Sequence, residues 1–472
     1  MTAFAVMRVI ARRQFQEAAL APRGTFLAIF WALLVLLAVW SGTLAASSAV
    51  ESHQASASVA RDAYERWVGL YPEGDWRPVY MAVENPLLLQ KPPAPARALS
   101  GGIDDLAGSW AIPTGFHLRE LDGRKADLSP LGTLLGGLDL AGLVALVGAL
   151  AALALGFDAV SGERERGTLA LHFANPIGRG TFIFGKALGT LGALGLVLGL
   201  PLLMGLGALL ALGAIASTPE NLARVGAFFF ASLLYLALWS LLAVAVSASV
   251  RRSATSFVVL AGVWLLLAIA LPKVALATAN RMHPLPAPVA LEQKLSKALD
   301  ASKDYYRAEF GKWKDAHGGQ RPDAKATAEL KLSYYAFHRK QLDAIVADYE
   351  GTLSRWNGTF ALGARLSPSY AYQELASVLA GTDPERHRTV LAAFNRYLWD
   401  LKLQAEQRII DGQDGPPAYA ELPRLRFEEP RFAERVTPVA QALGGFLLEA
   451  LFIAALALLA FRRYPLKAQT GS

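Results

Sequence analysis

The chain contains no cysteine. Disulfides, thiolate metal sites and cysteine nucleophiles are therefore excluded. Charge is also scarce: Asp, Glu, Lys and Arg make up 18% of the 472 residues, against 53% hydrophobic residues. A soluble domain carries about 25% charged residues. The mean hydropathy of +0.31 points the same way. The histidines at 53, 117, 172, 283, 317, 338 and 387 show no HExxH or paired spacing, so no metal site is expected and structural or solvated roles are. The net charge is +7, but no basic stripe with interleaved aromatics accompanies it, which argues against nucleic acid as a partner.

What is present is apolar runs, in blocks long enough to cross a bilayer, which takes about 20 helical residues. The expected fold is an all-α integral membrane protein with six transmembrane helices and two extracytoplasmic inserts, the larger one helical. Residues 1–24 read as a cytoplasmic amphipathic arm, with Phe4, Met7, Ile10 and Phe15 opposing Arg8 and Arg12, suited to the membrane interface. Residues 25–47 are the first span. The rival reading, a signal peptide, needs an apolar core of only roughly 7–15 residues, and this stretch exceeds it. Residues 48–133 form the first insert, with a helix at about 50–70 before an irregular Pro- and Gly-rich segment.

Four spans follow at 135–156, 187–214, 224–248 and 255–277. In the second of these, Gly195 and Gly199 form a GxxxG that permits close helix packing, the alternative being a plain glycine-rich helix. Pro201 is expected to kink it. Trp31 and Trp40 suit either an interfacial belt or the core. Asp139, near the outer end of its span, reads as hydrated at the interface in preference to facing a cavity. Residues 278–437 read as an independent helical domain with apolar residues at three and four spacing. Within it, SPSYAYQELASVLAGTDP begins with a Ser cap before Pro and ends on a Gly-Thr-Asp-Pro stop, and the charge run Glu385–Arg388 reads as a solvated face. Residues 438–461 are the sixth span and 462–472 a cytoplasmic tail.

The arm, the 157–186 loop, the Arg251–Arg252 loop and the tail fall on one side in this plan, and all are basic. By the positive-inside rule that side is the cytoplasm and both inserts lie outside.

The 157–186 loop carries the functional question. GERERGTLALHFANPIGRGTFIFGK packs Glu163, Arg164, Glu165 and Arg166 together and ends in Gly180-x-x-x-x-Gly185-Lys186. A nucleotide-binding P-loop needs a Ser or Thr after the Lys to hold magnesium. Ala187 stands there, the loop interior is bulky Thr-Phe-Ile-Phe, and no Walker B strand is visible, so this chain is not expected to bind ATP. A short helix with a charged start and an apolar face of Leu169, Leu171 and Phe173, stopped at Asn175-Pro176, suits docking into a groove of a cytoplasmic protein. Lys186 is placed to snorkel at the start of its span.

FDAVSGERERGTLALHFANPIGRGTFIFGKALG resembles the loop between the second and third spans of type-2 ABC exporter permeases, near the group for multicopper-enzyme (nitrous-oxide reductase) maturation. In that family a phrase of the form GE…GTL…P…R…GK marks the coupling helix, which seats in a cleft of the ATPase subunit. Gly162, Glu163, Glu165, Gly167, Thr168, Leu169, Pro176, Arg179, Gly185 and Lys186 match it here. The resemblance covers a little over half the chain, and the two large outer inserts depart from simpler permeases. It implies a bacterial inner-membrane permease subunit, without catalytic residues or cofactor of its own, in an ATP-driven exporter. ATP would sit on a separate ATPase subunit dimer. The second half of the pathway would be another copy of the chain or a sister permease, and a periplasmic partner could engage the inserts. The residues expected to couple to the ATPase are Gly162, Glu163, Arg164, Glu165, Arg166, Gly167, Thr168, Leu169, Leu171, Asn175 and Pro176. The alternative function is a mechanotransmission or signalling scaffold that translocates nothing.

Overall fold

A computed structural model describes residues 3–70, 89–105, 107–111, 139–174, 177–413, 421, 425, 427–435, 439–440, 443–449, 451–452 and 455. Among them, five helices are long and apolar enough to cross a membrane. The chain starts with α1 (Ala3–Phe15) and a π turn (Gln16–Leu20). Next comes α2 (Pro22–Gly69), whose 48 unbroken residues span about 70 Å. The helix expected at 50–70 is thus a continuation of the first span. The strands β1 (Leu89–Gln90) and β2 (Trp110–Ala111) pair antiparallel.

α3 runs as Leu140–Leu143, a π turn Val144–Gly148, and Ala149–Gly156. Two short helices follow, α4 (Ser161–Glu165) and α5 (Thr168–Ala174). α6 comprises Arg179–Leu194, a π turn Gly195–Gly199, and Leu200–Ala211. α7 is Pro219–Ser249. α8 comprises Ser253–Trp264, a π turn Leu265–Ala270, and Leu271–Met282. In α6 and α8 the π turn ends two residues before a proline, Pro201 and Pro272. Proline has no N–H for the carbonyl four residues back and its ring crowds that carbonyl, so the ladder widens just upstream. The long helices α9 (Pro288–Ala316), α10 (Ala324–Ala364), α11 (Pro368–Ala380) and α12 (Pro384–Ile410) complete the order. Half of the sixth span at 438–461, all of the tail at 462–472 and nearly half of the first insert lie outside the described residues.

The main core joins α2, α3, α6, α7 and α11 through Trp31, Val35, Val144, Leu202, Phe228, Trp239 and Leu375, all buried. Trp31 is a core residue, its Nε1 donating to the Leu198 carbonyl at 2.9 Å, while Trp40 is exposed. The presence of α11 in this core differs from the expected independence of the 278–437 region. Tyr372 of α11 stacks on Tyr235 of α7 with centroids 4.7 Å apart. The Tyr372 hydroxyl lies 2.8 Å from Ser232 Oγ, and Tyr235 donates to the Ala145 carbonyl at 2.6 Å. Ala145 is six residues below Asp139, about 9 Å along α3, so α11 dips into the bundle. Its ends are set as the sequence indicates. Ser367 Oγ accepts from Tyr370 N, and Gly381 takes the left-handed conformation, φ 74°, that ends the helix.

The first insert and the α9–α12 region are also one body. Leu89 and Ala111 pack with Val390, Phe394 and Leu398 of α12. Beside this lies a buried charged cluster in which Lys91 pairs with Asp104 and lies 3.3 Å from His387 Nδ1. Arg386 meets Glu429 at 2.8 Å and Asp104 at 3.9 Å. Glu385 and Arg388 are exposed, but Arg386 and His387 are buried, which corrects the expectation of a solvated face for the run. Desolvation pushes the His387 imidazole down to about 4, with the neighbouring Lys91 ammonium adding to the effect. Asp139 neither faces a cavity nor sits free in water. It caps α3 through Gly142 N at 2.6 Å and accepts from Ser100 Oγ and Gly101 N, at 2.9 and 2.7 Å.

Candidate functional site

At the end of the bundle opposite α9–α12, the stretch singled out in the sequence folds into two short helices. The turn between them requires Gly167. Its φ is 72°, and nothing lies within 4 Å of where a Cβ would sit, so the glycine serves conformation and not contact.

Glu163 is the centre of the arrangement. Its carboxylate is fully buried and Lys186 is 2% exposed. Lys186 Nζ lies 2.8 Å from Glu163 Oε1 and donates to Gln14 Oε1 at 2.9 Å, with Glu17 at 3.9 Å. The second Glu163 oxygen accepts from Thr168 Oγ1 at 2.7 Å and meets His172 Nε2 at 3.0 Å. One carboxylate thus connects α4, α5, α6 and, through Lys186, α1. Glu163 is buried, because leaving a carboxylate unpaired beside a buried ammonium costs more than pairing them. Lys186 does not snorkel outward, because an acceptor waits inside.

The arm packs against α6 along Gly185, Gly189 and Gly192. A Cβ on Gly185 would lie 2.8 Å from Ile10 Cγ2, and one on Gly189 would lie 2.4 Å from the Ala11 carbonyl oxygen. Of the pair expected to allow close helix packing, Gly195 has open space where a Cβ would sit, while a Cβ on Gly199 would lie 3.0 Å from Leu233 Cδ2 of α7. Gly185-x-x-x-Gly189 is itself a GxxxG, so the signal was in the sequence, overlapping the end of the P-loop-like string.

The remaining charged residues fasten the stretch to its neighbours. Glu165 accepts from Ser253 N at 3.0 Å and Ser253 Oγ at 2.8 Å, at the start of α8. Arg164 donates to the Val250 and Ala248 carbonyls at the end of α7. Ser247 Oγ accepts from Val160 N and Ser161 N, both at 3.0 Å. Arg23 forms a two-pronged pair with Asp158, at 2.7 and 3.1 Å, tying the start of α2 to the same place. Sequence reasoning missed Gln14, Arg23, Asp158, Ser247 and Ser253. Gly162 is buried and Leu169 packs inward with Val160, Phe182 and Ile183. The expected apolar face thus divides: Leu169 points in, and Leu171 is 70% exposed. Arg166, Gly167, Ala170 and Ala174 share the exposed side with Leu171. Asn175 and Pro176 lie outside the described residues.

The family profile described as ABC-2 family transporter protein matches residues 8–395, most of the chain. The chain belongs to that family. No curated protein matches it. As an ABC-2 protein it is a membrane permease subunit of an ABC transporter, a transport component without catalysis of its own, and the family implies association with an ABC ATPase and with the membrane. The permease's matched segment begins in α1 and includes the whole Glu163 hub.

Proposed function

We propose that this permease forms half of an ATP-driven export pathway in a bacterial inner membrane, and that the 157–186 loop couples it to a separate ATPase subunit. The observation that carries the reading is the contrast between Leu171 and Glu163. An apolar side chain, 70% exposed, projects from a two-turn helix whose neighbour α4 is locked to α1, α6, α7 and α8 by buried or bidentate polar contacts. Leu171, Arg166 and Gly167 form the face that enters a groove of the ATPase. Glu163, Arg164 and Glu165 carry the displacement of that face into four helices. Both termini lie in the cytoplasm, following the basic loops. Two ATPase copies bind and hydrolyse ATP, and a second copy of the chain or a sister permease completes the pathway. The matched motif supports kinship with the permeases of multicopper-enzyme maturation.

The test is affinity co-purification of the tagged chain in mild detergent with an ATPase assay. The expected result is recovery of a P-loop ATPase, lost in Leu171→Glu with the chain still monodisperse. Failure to recover any ATPase in several detergents would sink the coupling reading.

A second reading has one observation in its favour. α2 runs unbroken from the level of Arg23 past the bilayer to Gly69, a rod suited to passing motion to an outer domain and a periplasmic partner. A reconstituted complex that hydrolyses ATP and moves the outer domain, without moving any substrate, would favour this mechanotransmission scaffold.

A further inference from the structure

A cleft of about 520 Å³ opens between α9, α10 and α12. Its volume falls in the range of small-molecule sites, about 300–1,000 Å³. Leu295, Val346, Leu353 and Leu391 line its interior, and Glu385 and Arg388, paired with one another, sit among its polar groups. Three features fix what such a cleft can hold.

The first is position. Below the cleft, α10 runs down beside α8, a membrane-crossing helix. Trp356 Nε1 donates to Asn280 Oδ1 at 2.8 Å. Further down, Gly363 approaches so closely that a Cβ there would lie 2.9 Å from Ala275 Cβ. Leu353 is ten residues from Gly363, so the cleft begins about 15 Å above that contact. The second is the surface from the level of that contact upward. Leu362 and Leu366, at the turn from α10 to α11, are 78% and 67% exposed, and Met282 and Val289, at the end of α8 and the start of α9, are 61% and 68% exposed. Val289 also lines a second apolar depression with Pro288 and Glu292 on the first turns of α9. Large apolar side chains thus extend from bilayer level toward the cleft, where a water-facing surface would carry polar ones. The third is the chemistry of the opening. Glu385 pairs with Arg388 and Glu350 adds a further carboxylate, so the opening offers polar and charged contacts to a head group while the interior is apolar.

We propose that this cleft binds the acyl chain of a membrane amphiphile, received from the outer leaflet along the exposed apolar residues of the α10–α11 turn and the α8–α9 connection. The chain lies between α9, α10 and α12, and the head group stays at the polar opening. The inference rests on the outward placement of this bundle, and it narrows the transport reading to amphiphilic substrates.

The experiment uses the full chain in bilayer discs of phosphatidylethanolamine and phosphatidylglycerol doped with a phospholipid carrying a diazirine near its acyl terminus. After illumination, the expected cross-links fall on peptides of α9, α10 and α12 lining the cleft, and excess unlabelled palmitate suppresses them. Leu353→Trp and Leu391→Trp, which fill the space, abolish those cross-links and leave those on α2 and α8 unchanged. Cross-links confined to the spans, or cleft cross-links that survive both palmitate and filling, would overturn the proposal. Competition on the unaltered chain keeps the test decisive if a filled variant folds poorly. Because the protein lacks cysteine, Glu309→Cys reports the topology separately through a membrane-impermeant maleimide on intact cells. Labelling only after permeabilisation would overturn the outward placement and the proposal with it. Labelling on intact cells with an empty cleft would overturn the acyl-chain site alone.

Discussion

Removing one member of the Glu163–Lys186 pair should loosen the 157–186 loop, and removing both should restore much of what is lost. The two groups are essentially excluded from water and 2.8 Å apart. Breaking a buried pair by truncating one partner costs about 3–5 kcal/mol, because the survivor is left charged and uncompensated. Each survivor here keeps some company: Lys186 retains Gln14 at 2.9 Å, and Glu163 retains Thr168 and His172. The expected cost of Glu163→Ala or Lys186→Met is therefore at the lower end, about 3 kcal/mol. The combination Glu163→Leu with Lys186→Met replaces both charges by apolar groups, an exchange that is often neutral, and should lie within about 1–2 kcal/mol of the parent. Native-state hydrogen exchange of the α4–α5 amides in detergent reads the free energy of local opening directly. Single variants within about 0.5 kcal/mol of the parent would refute the reasoning, since that is the range of surface substitutions. Additive losses in the double variant would refute the pairing even if the singles were costly.

Other outcomes follow from the same geometry. Gly167→Ala should cost about 1–2 kcal/mol in the same exchange measurement and Gly167→Asn less, because the left-handed φ is the constraint and Asn tolerates it. Gly189→Val should detach α1 from α6, seen as rapid protease cleavage within the arm, because its side chain would occupy the space of the Ala11 carbonyl and Gln14. Tyr235→Phe removes the hydroxyl that donates to Ala145 and faces Ser369, and should lower stability by about 1–3 kcal/mol, read as an earlier thermal loss of monodispersity. The body formed by the first insert and α9–α12 should lose stability in acid. His387 is held neutral to about pH 4 when folded and takes up a proton near 6.5 when unfolded. Between those values the unfolded state binds more protons, so stability is full above about pH 6.5 and declines as pH falls toward 4, by up to about 3 kcal/mol. His387→Gln should flatten this decline in a thermal-melt series across that interval.

The membrane helices were legible because the bilayer imposes a length and a composition that few other environments demand. Helix ends in the 278–437 region were legible for a local reason: Ser367 before Pro368 and Asp383 before Pro384 cap through their own side chains, and Gly381 supplies the left-handed stop. Burial of charge was not legible. Glu163 and Glu165 are two residues apart in the same string, yet one is a sealed hub and the other an exposed clamp on Ser253. A helix of five residues has too little periodicity to say which side faces inward. The run at 385–388 divides in the same way, with Arg386 and His387 turned toward Lys91, Asp104 and Glu429 from distant parts of the chain. Partners that far away in sequence leave no mark on a local pattern.

The two buried charged clusters impose the same constraint at opposite ends of the bundle, and this bears on how the molecule can move. Each joins segments that sequence order keeps apart: α1, α4, α5 and α6 around Glu163, and the first insert with α12 and the 427–435 segment around Arg386. A buried ion pair resists separation because each charge would be stranded in low dielectric, yet it gains little over apolar packing in overall stability. Such clusters therefore mark rigid units more than they stabilise the fold. What connects the units is different in kind. α6 and α8 carry π turns next to Pro201 and Pro272, where the helical ladder is already broken, and the contact of α11 with α7 includes the hydroxyls of Tyr235 and Tyr372. Motion between the ends of the bundle should concentrate at those two turns and that tyrosine contact. Exchange protection should accordingly be lowest at 195–201 and 265–272 within the membrane helices, and uniform protection along α6 and α8 would exclude this division into rigid ends and compliant middles.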